Sequence, residues 1–200
     1  GDIRNQTTKV LQSIDESLKK AGSSLAMAAS VQVYIKNAAD FAAMNEVYRT
    51  FFKADPPART TIVSDFVVPG ALLEISAIAI PNGGERKVIH PASWMKSPNP
   101  YSYGIKSGST RFVAGLVSRH GKDNSVVEWP MGVQTKAVLD NAAAILQEAG
   151  MTFDNVVSSK VFITDGTKFQ EMNETYRTFF TKDPPARATA TRSFSPPEIS

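Results

Sequence analysis

Apolar positions along the chain follow two periods, one helical and one extended. The first helical set lies on a single face and consists of Val10, Leu11, Ile14, Leu18 and Ala21. This helix is predicted to end near Gly22, while alternation over 31–35 predicts a half-buried strand. Apolar spacing over 41–52 predicts a second helix, with Asp40 as its N-cap and Pro56-Pro57 as its stop.

The remaining elements read mainly as strands. Extended segments are predicted at 59–63 and 72–80, with a turn at Pro69-Gly70 between them. A short strand at 88–90 precedes a hairpin formed by 102–105 and 111–118. The order helix, strand, helix, strand then returns.

An ungapped internal repeat explains that return. Residues 44–59 match residues 172–187 at 13 of 16 positions, and residues 1–72 match 129–200 at 27 of 72, always at an offset of 128. This level of identity without a gap indicates a duplication. Because 128 + 72 = 200, the chain holds one and a half repeats.

The repeat predicts the domain organisation. One full unit has the order β-β-β-α-β-α-β-β, an α+β fold with two helices packed on one face of a sheet. Residues 1–83 are predicted to be the C-terminal half of a first unit, and 84–200 a second unit lacking its last strand. A half unit without three strands exposes strand edges, so either the sequence is trimmed at both ends or neighbouring chains complete the half unit. We expect a multimer with carboxylate-sized clefts between units.

Composition restricts the available chemistry. The chain has no cysteine, which excludes disulfides and thiol nucleophiles, and its two histidines, His90 and His120, leave little for a metal site. No metal or cofactor is predicted. The net charge of +3 is spread along the chain, so nucleic acid is not an expected partner. No apolar run is long enough to span a membrane and no signal-peptide pattern opens the chain, so a cytoplasmic location is expected.

Several short motifs carry a resemblance to a known family. They are Asn99-Pro100-Tyr101, Val113-Ala114-Gly115, the helix 41–52, Pro57-Ala58-Arg59 with the strand 73–79, and Pro185-Ala186-Arg187. With these motifs the chain resembles the Rid/YjgF superfamily, long labelled endoribonuclease L-PSP, over essentially its whole length. The resemblance implies a chorismate-mutase-like fold, tandem duplicated here, and assembly as a trimer or pseudo-trimer with clefts between subunits.

The resemblance also implies an activity. Family members hydrolyse reactive enamine and imine acids of the 2-aminoacrylate/2-iminopropanoate class, without a cofactor, to 2-keto acids and ammonia. In this interpretation Arg59 and Arg187 hold the substrate carboxylate, as a planar guanidinium does well. Glu74 handles water, Tyr101 closes over the cleft, and the backbone N–H of Gly115 faces the ligand.

Each residue has a simpler alternative. Arg59 and Arg187 could be solvated arginines at strand starts, Glu74 an outward-facing strand residue, and Tyr101 an ordinary loop aromatic. Ala114 stands where the family commonly has serine. That loss of a hydroxyl beside the substrate favours a second hypothesis, a non-catalytic module that binds small carboxylates or a partner.

Cleavage of single-stranded RNA, the older family label, is a third hypothesis. The sequence has no basic groove interleaved with aromatic residues, and no histidine pair suited to acid–base work. We therefore expect a small 2-imino or 2-keto acid, rather than RNA, as the ligand.

Overall fold

The computed structural model describes residues 1–128 and 130–192, which form two compact units. Unit 1 comprises Gly1–His90 and Lys96–Gly115, and unit 2 comprises Pro91–Met95 and the described residues from Leu116 on. The compact units therefore divide the chain at other residues than the repeat boundary at 83/84, which stays a prediction. Residues 193–200 of the predicted second domain lie outside the described residues.

Unit 1 is built on a three-stranded sheet with two helices. Its first elements are α1 (Ile3–Lys20), β1 (Ala28–Ile35), α2 (Phe41–Phe51), β2 (Ala58–Val63) and β3 (Leu73–Ala79). The strand order is β2-β1-β3, with β1 parallel to β2 and antiparallel to β3. Side chains from both helices and from one face of the sheet form a single core, which includes Leu11, Val33, Tyr48 and Leu73. This confirms the predicted α+β class with both helices on one face.

Three further strands complete unit 1. They are β4 (Lys87–Ile89), β5 (Gly104–Ser107) and β6 (Thr110–Val113), an antiparallel sheet in the order β4-β5-β6. Ser102 forms a parallel bridge with Ala58, and the Gly115 N–H donates to the Arg59 carbonyl at 3.1 Å. Residues 86–90 and 96–115, called the strand segment below, thus fill the place where the sequence predicted a first half lacking three strands.

Unit 2 repeats the helical half of unit 1. It contains α3 (Met131–Glu148), β7 (Ser158–Ile163), α4 (Phe169–Phe179) and β8 (Ala186–Thr191). The strands β7 and β8 are parallel, and Ser159 pairs with Arg187 just as Val31 pairs with Arg59. The same offset of 128 therefore governs element bounds and strand register.

The predicted end of α1 is observed, whereas the predicted cap of α2 lacks its hydrogen bond. Gly22 follows α1 with a φ of 73°, the left-handed conformation that glycine adopts without strain. Asp40 occupies the N-cap position of α2 as predicted, but its side chain makes no cap hydrogen bond. Asn37 instead accepts from the Ala39 N–H and caps the 3-10 turn at Ala38–Asp40 that leads into α2.

Candidate functional site

Arg59 is a buried cation at the start of β2. Its residue is only 4% exposed, and its guanidinium carbon lies 4.7 Å from the ring centroid of Tyr48 and 5.8 Å from that of Phe41. Burial lowers the pKa of Arg59, although an arginine stays charged at any physiological pH. Its Nη1 is buried without a hydrogen-bond partner. A buried charge with a free donor is costly unless an anion pairs with it.

Helix α2 adds two more polar atoms without partners. Asn45 and Tyr48 lie three residues apart and so share a face of the helix. Asn45 Oδ1 and the Tyr48 hydroxyl are both buried and make no hydrogen bond. Burial raises the pKa of Tyr48, which keeps its hydroxyl neutral. Unit 1 therefore contains a buried cluster of donor and acceptor atoms from α2 and β2.

The loop before β5 is tied to the same helix. Asn45 Nδ2 donates to Asn99 Oδ1 at 3.3 Å, and Arg49 donates to the Pro98 carbonyl. These contacts position Tyr101, which is half-buried and packs edge-to-face on Tyr103 with the ring centroids 5.8 Å apart. Tyr101 is an electrostatic neighbour of Arg59, whose pKa it shifts upward against the larger effect of burial.

Gly115 is held tightly against β2. Besides the hydrogen bond of its N–H to Arg59, a Cβ at this position would lie 2.8 Å from Thr60 Oγ1 and 2.9 Å from Thr60 Cγ2. Glycine is therefore required for close approach of the two backbones. Ala114 is buried and donates its N–H to the Tyr103 carbonyl at 2.9 Å. The Gly115 N–H, which was expected to face a ligand, thus already donates a hydrogen bond to the Arg59 carbonyl within the unit.

Glu74 lies apart from this cluster. It is exposed on β3 and pairs with Tyr34, whereas Arg59 pairs with Val31. Paired residues share a face and successive residues alternate, so positions 31 and 34 of β1 face opposite sides. Unit 1 therefore brings together Arg59, Tyr101, Ala114 and Gly115, and places Glu74 on the other face of the sheet.

Arg187 occupies the matching position in unit 2 in a different state. Its guanidinium carbon lies 4.5 Å from the Tyr176 ring centroid, but the residue is only half-buried. Its Nη2 donates to Asn173 Oδ1 at 2.8 Å. The Tyr176 hydroxyl lies 2.8 Å from Ser159 Oγ. The polar atoms of this cluster therefore have partners within unit 2.

The sequence pointed to Asn45 and Tyr48 as residues that brace the cleft and to Asn99 within a motif, but it did not predict the Asn45–Asn99 hydrogen bond or the position of the Tyr48 ring beneath Arg59. A signal for the helical pair was present, since both residues lie within the 16-residue stretch where the repeats match best. Among the described residues no group of three or more His, Asp or Glu side chains could hold a metal ion. No described helix is long and apolar enough to cross a membrane.

Comparison with known proteins identifies relatives along the chain. The family model described as "Endoribonuclease L-PSP" matches residues 1–81 and 92–197. A RutC family protein of Saccharolobus solfataricus is 36% identical over 114 residues, which are 57% of this chain and 90% of that protein. The mouse 2-iminobutanoate/2-iminopropanoate deaminase is 33% identical over 103 residues, 52% of this chain and 76% of the enzyme.

Solved structures show the same fold. A Yersinia pestis protein of the conserved Rid family, YyfA, matches with a TM-score of 0.51 and 29% identity over 54% of this chain and 86% of its own. Yeast Mmf1 matches with a TM-score of 0.54 and 24% identity over 58% of this chain and 92% of its own. The second likeness concerns the fold alone.

Proposed function

Since the chain belongs to the endoribonuclease L-PSP family, which includes the Rid proteins, we propose that unit 1 binds a small 2-imino acid at Arg59 and hydrolyses it. The buried Nη1 of Arg59, which has no partner, carries this proposal. A carboxylate would supply the missing charge and accept from the guanidinium fork. Relatives named as 2-iminobutanoate/2-iminopropanoate deaminases support the choice of substrate class.

The proposed reaction needs water and a proton transfer but no cofactor. Water adds to the C=N carbon of 2-iminopropanoate, and collapse of the adduct releases ammonia and pyruvate. Arg59 would hold the carboxylate and Tyr101 would flank the bound acid. Glu74 is the proposed water-activating group, and because it lies across the sheet from Arg59, a second copy must bring it there. Self-association as a trimer, with clefts between subunits, is therefore part of the proposal.

Turnover of freshly generated 2-aminoacrylate tests this proposal. We expect the chain to accelerate pyruvate release, Arg59→Ala to abolish the acceleration, and Arg187→Ala to keep most of it. Arg187 is the matched control because it occupies the same repeat position and already pairs with Asn173. No acceleration by the unaltered chain, or equal rates for both variants, would disprove the assignment.

A non-catalytic carboxylate-binding module is the second candidate. It is favoured by Ala114, which supplies no hydroxyl, and by the position of Glu74 on the other face of the sheet from Arg59. Calorimetry with 2-ketobutyrate and benzoate separates the two candidates. Binding that depends on Arg59, without any turnover of 2-aminoacrylate, would establish the module in place of the deaminase.

A further inference from the structure

One asparagine of the second helix differs between the two units in what it bonds to. In unit 2, Asn173 Oδ1 accepts from Arg187 Nη2 at 2.8 Å. In unit 1 the counterpart Asn45 Oδ1 has no hydrogen-bond partner, and Arg59 Nη1 has none either. The amide and the guanidinium that bond to each other in unit 2 are therefore not bonded in unit 1.

The two arginines themselves lie in equivalent positions. The guanidinium carbon is 4.7 Å from the ring centroid of Tyr48 in unit 1 and 4.5 Å from that of Tyr176 in unit 2. It is 5.8 Å from the ring of Phe41 and 6.0 Å from that of Phe169 in the same two units. The strand register of the arginine is also the same in both. The difference between the units therefore lies in the orientation of the asparagine and not in the position of the arginine.

Asn99 accounts for the orientation of the asparagine in unit 1. Its Oδ1 accepts from Asn45 Nδ2 at 3.3 Å. The backbone of Asn99 is fixed on both sides, because its N–H donates to Ser97 Oγ at 3.1 Å and its carbonyl accepts from the Tyr101 N–H at 2.8 Å. In the orientation that this bond gives to Asn45, its Oδ1 does not accept from Arg59.

The orientation found in unit 1 forgoes the stronger of two hydrogen bonds. A bond to a charged guanidinium is about twice as strong as one between two neutral amides. We infer that Asn99 is a positioning residue of the carboxylate site, which holds Asn45 away from Arg59 so that the guanidinium stays open to the substrate carboxylate. This inference rests on the proposed function and assigns Asn99 a part in it.

Removal of the Asn99 amide should close the site. Asn45 would turn and accept from Arg59, as its counterpart accepts from Arg187 in unit 2. The asparagine would then compete with the carboxylate for the same donor. The apparent affinity for the acid would fall in proportion to the fraction of molecules in which the guanidinium remains open.

Isothermal titration calorimetry with 2-ketobutyrate tests the role of Asn99. Asn99→Ala should weaken binding about tenfold. Asn82→Ala, the same substitution at an exposed turn position, is the matched control and should leave the affinity unchanged. Adding Asn45→Leu to Asn99→Ala should recover most of the lost affinity, because leucine has a similar shape but cannot accept from Arg59.

Two calorimetric results would overturn the inference. Unchanged affinity in Asn99→Ala would mean that Asn45 stays away from Arg59 without help from Asn99. A double variant that binds no more tightly than Asn99→Ala would mean that the substitution acts through the loop and not through Asn45. Failure of the proposed function is distinguishable, since a chain that shows the expected pattern but does not hydrolyse 2-aminoacrylate loses the deaminase and keeps the role of Asn99.

A crystal structure of the Asn99→Ala chain without ligand gives a second measurement, which depends on neither binding nor the folding of the double variant. We expect Asn45 Oδ1 to lie about 3 Å from an Arg59 Nη atom, as the equivalent atoms do in unit 2. An Asn45 Oδ1 that still has no bond to Arg59 would overturn the inference, even for a chain that binds no 2-ketobutyrate.

Discussion

The two units hold the same arginine in different states. Arg59 is 4% exposed with an unpartnered Nη1, whereas Arg187 is half-buried and donates to Asn173. The local sequence does not explain this, since 13 of 16 residues match around both arginines. In unit 1 the strand segment hydrogen-bonds to the backbone of β2 through Gly115, and Asn99 accepts from the Asn45 amide. The buried state of Arg59 thus coincides with contacts from a distant part of the chain, which the matching local sequence does not contain.

A second difference between the units comes from one residue of the neighbouring strand. Tyr176 in unit 2 shares a hydrogen bond with Ser159, but the residue at that position in unit 1 is Val31. The Tyr48 hydroxyl is consequently buried without a partner. This hydroxyl thus lowers the free energy of unfolding of unit 1 by about 1–3 kcal/mol. The packing and the hydrogen bonding of buried polar groups therefore differ between the units, even where the duplicated sequences stay alike.

The largest expected effect concerns carboxylate affinity. Arg59→Gln should weaken binding of 2-ketobutyrate by about a hundredfold, because it removes a buried charged donor. Arg187→Gln should change the affinity by less than about twofold, because that guanidinium is half-buried and already paired. Isothermal titration calorimetry measures both. Equal losses in the two variants would mean that burial does not distinguish the two sites.

The contact of Gly115 with Thr60 should give the next largest effect. Gly115→Ala places a methyl group 2.8 Å from Thr60 Oγ1 and should destabilise unit 1 by about 1–3 kcal/mol. Thr60→Ala removes the opposing atoms and should restore most of that loss in the double variant. Hydrogen exchange of peptides from β2 and β6 reports the change. A double variant no more stable than Gly115→Ala would place the strain elsewhere.

The two tyrosines should respond to the same substitution with opposite sign. Tyr48→Phe removes a buried hydroxyl that has no partner and should stabilise unit 1 by about 1 kcal/mol. Tyr176→Phe removes the hydrogen bond to Ser159 and should cost unit 2 about 1 kcal/mol. Hydrogen exchange of α2 and α4 peptides, followed separately, measures both. A loss of protection in both helices would contradict the comparison.

The smallest expected effect is a loss of stability of unit 1 at alkaline pH. Burial raises the pKa of Tyr48, and raises that of Tyr103 to about 12. The unfolded chain therefore loses these protons first, so the related stability is full below about pH 10 and falls as the pH rises above it. Hydrogen exchange of unit 1, compared at neutral and alkaline pH after correction for the intrinsic rate, should show this loss. The Tyr48→Phe variant should reduce it, and an unchanged loss would exclude Tyr48 as a cause.

Local pattern was sufficient for much of the molecule. Helical spacing and strand alternation predicted both helices and the central strands to within a few residues, since these periods depend only on neighbouring positions. Arg59 was selected from a short motif, and it lies in the buried cluster. Asp40 lies at the predicted N-cap position of α2, but the side-chain hydrogen bond of a cap comes from Asn37, which begins a 3-10 turn just before the helix.

Contacts between residues distant in the sequence could not be predicted from that local pattern. Asn45 meets Asn99 across 54 positions of sequence, a pairing for which periodicity carries no information. Arg59 and Glu74 are separated by a loop between two strands, so their relative faces depend on the register of each strand with β1. That register places them on opposite sides, which the motif spacing alone did not indicate.

The sequence by itself determined the repeat of 128 residues, the α+β class, the family resemblance and the arginine at each strand start. Only the tertiary structure decided that the strand segment pairs with β2 in the first half of the chain, and that Arg59 is buried whereas Arg187 is half-buried. The physical reason is that both halves carry nearly the same residues around the two arginines, so the local sequence does not distinguish them. The half that the segment contacts is seen only in long-range contacts, such as the bridge of Ser102 with Ala58 and the hydrogen bond from Gly115 to Arg59, on which local periodicity carries no information.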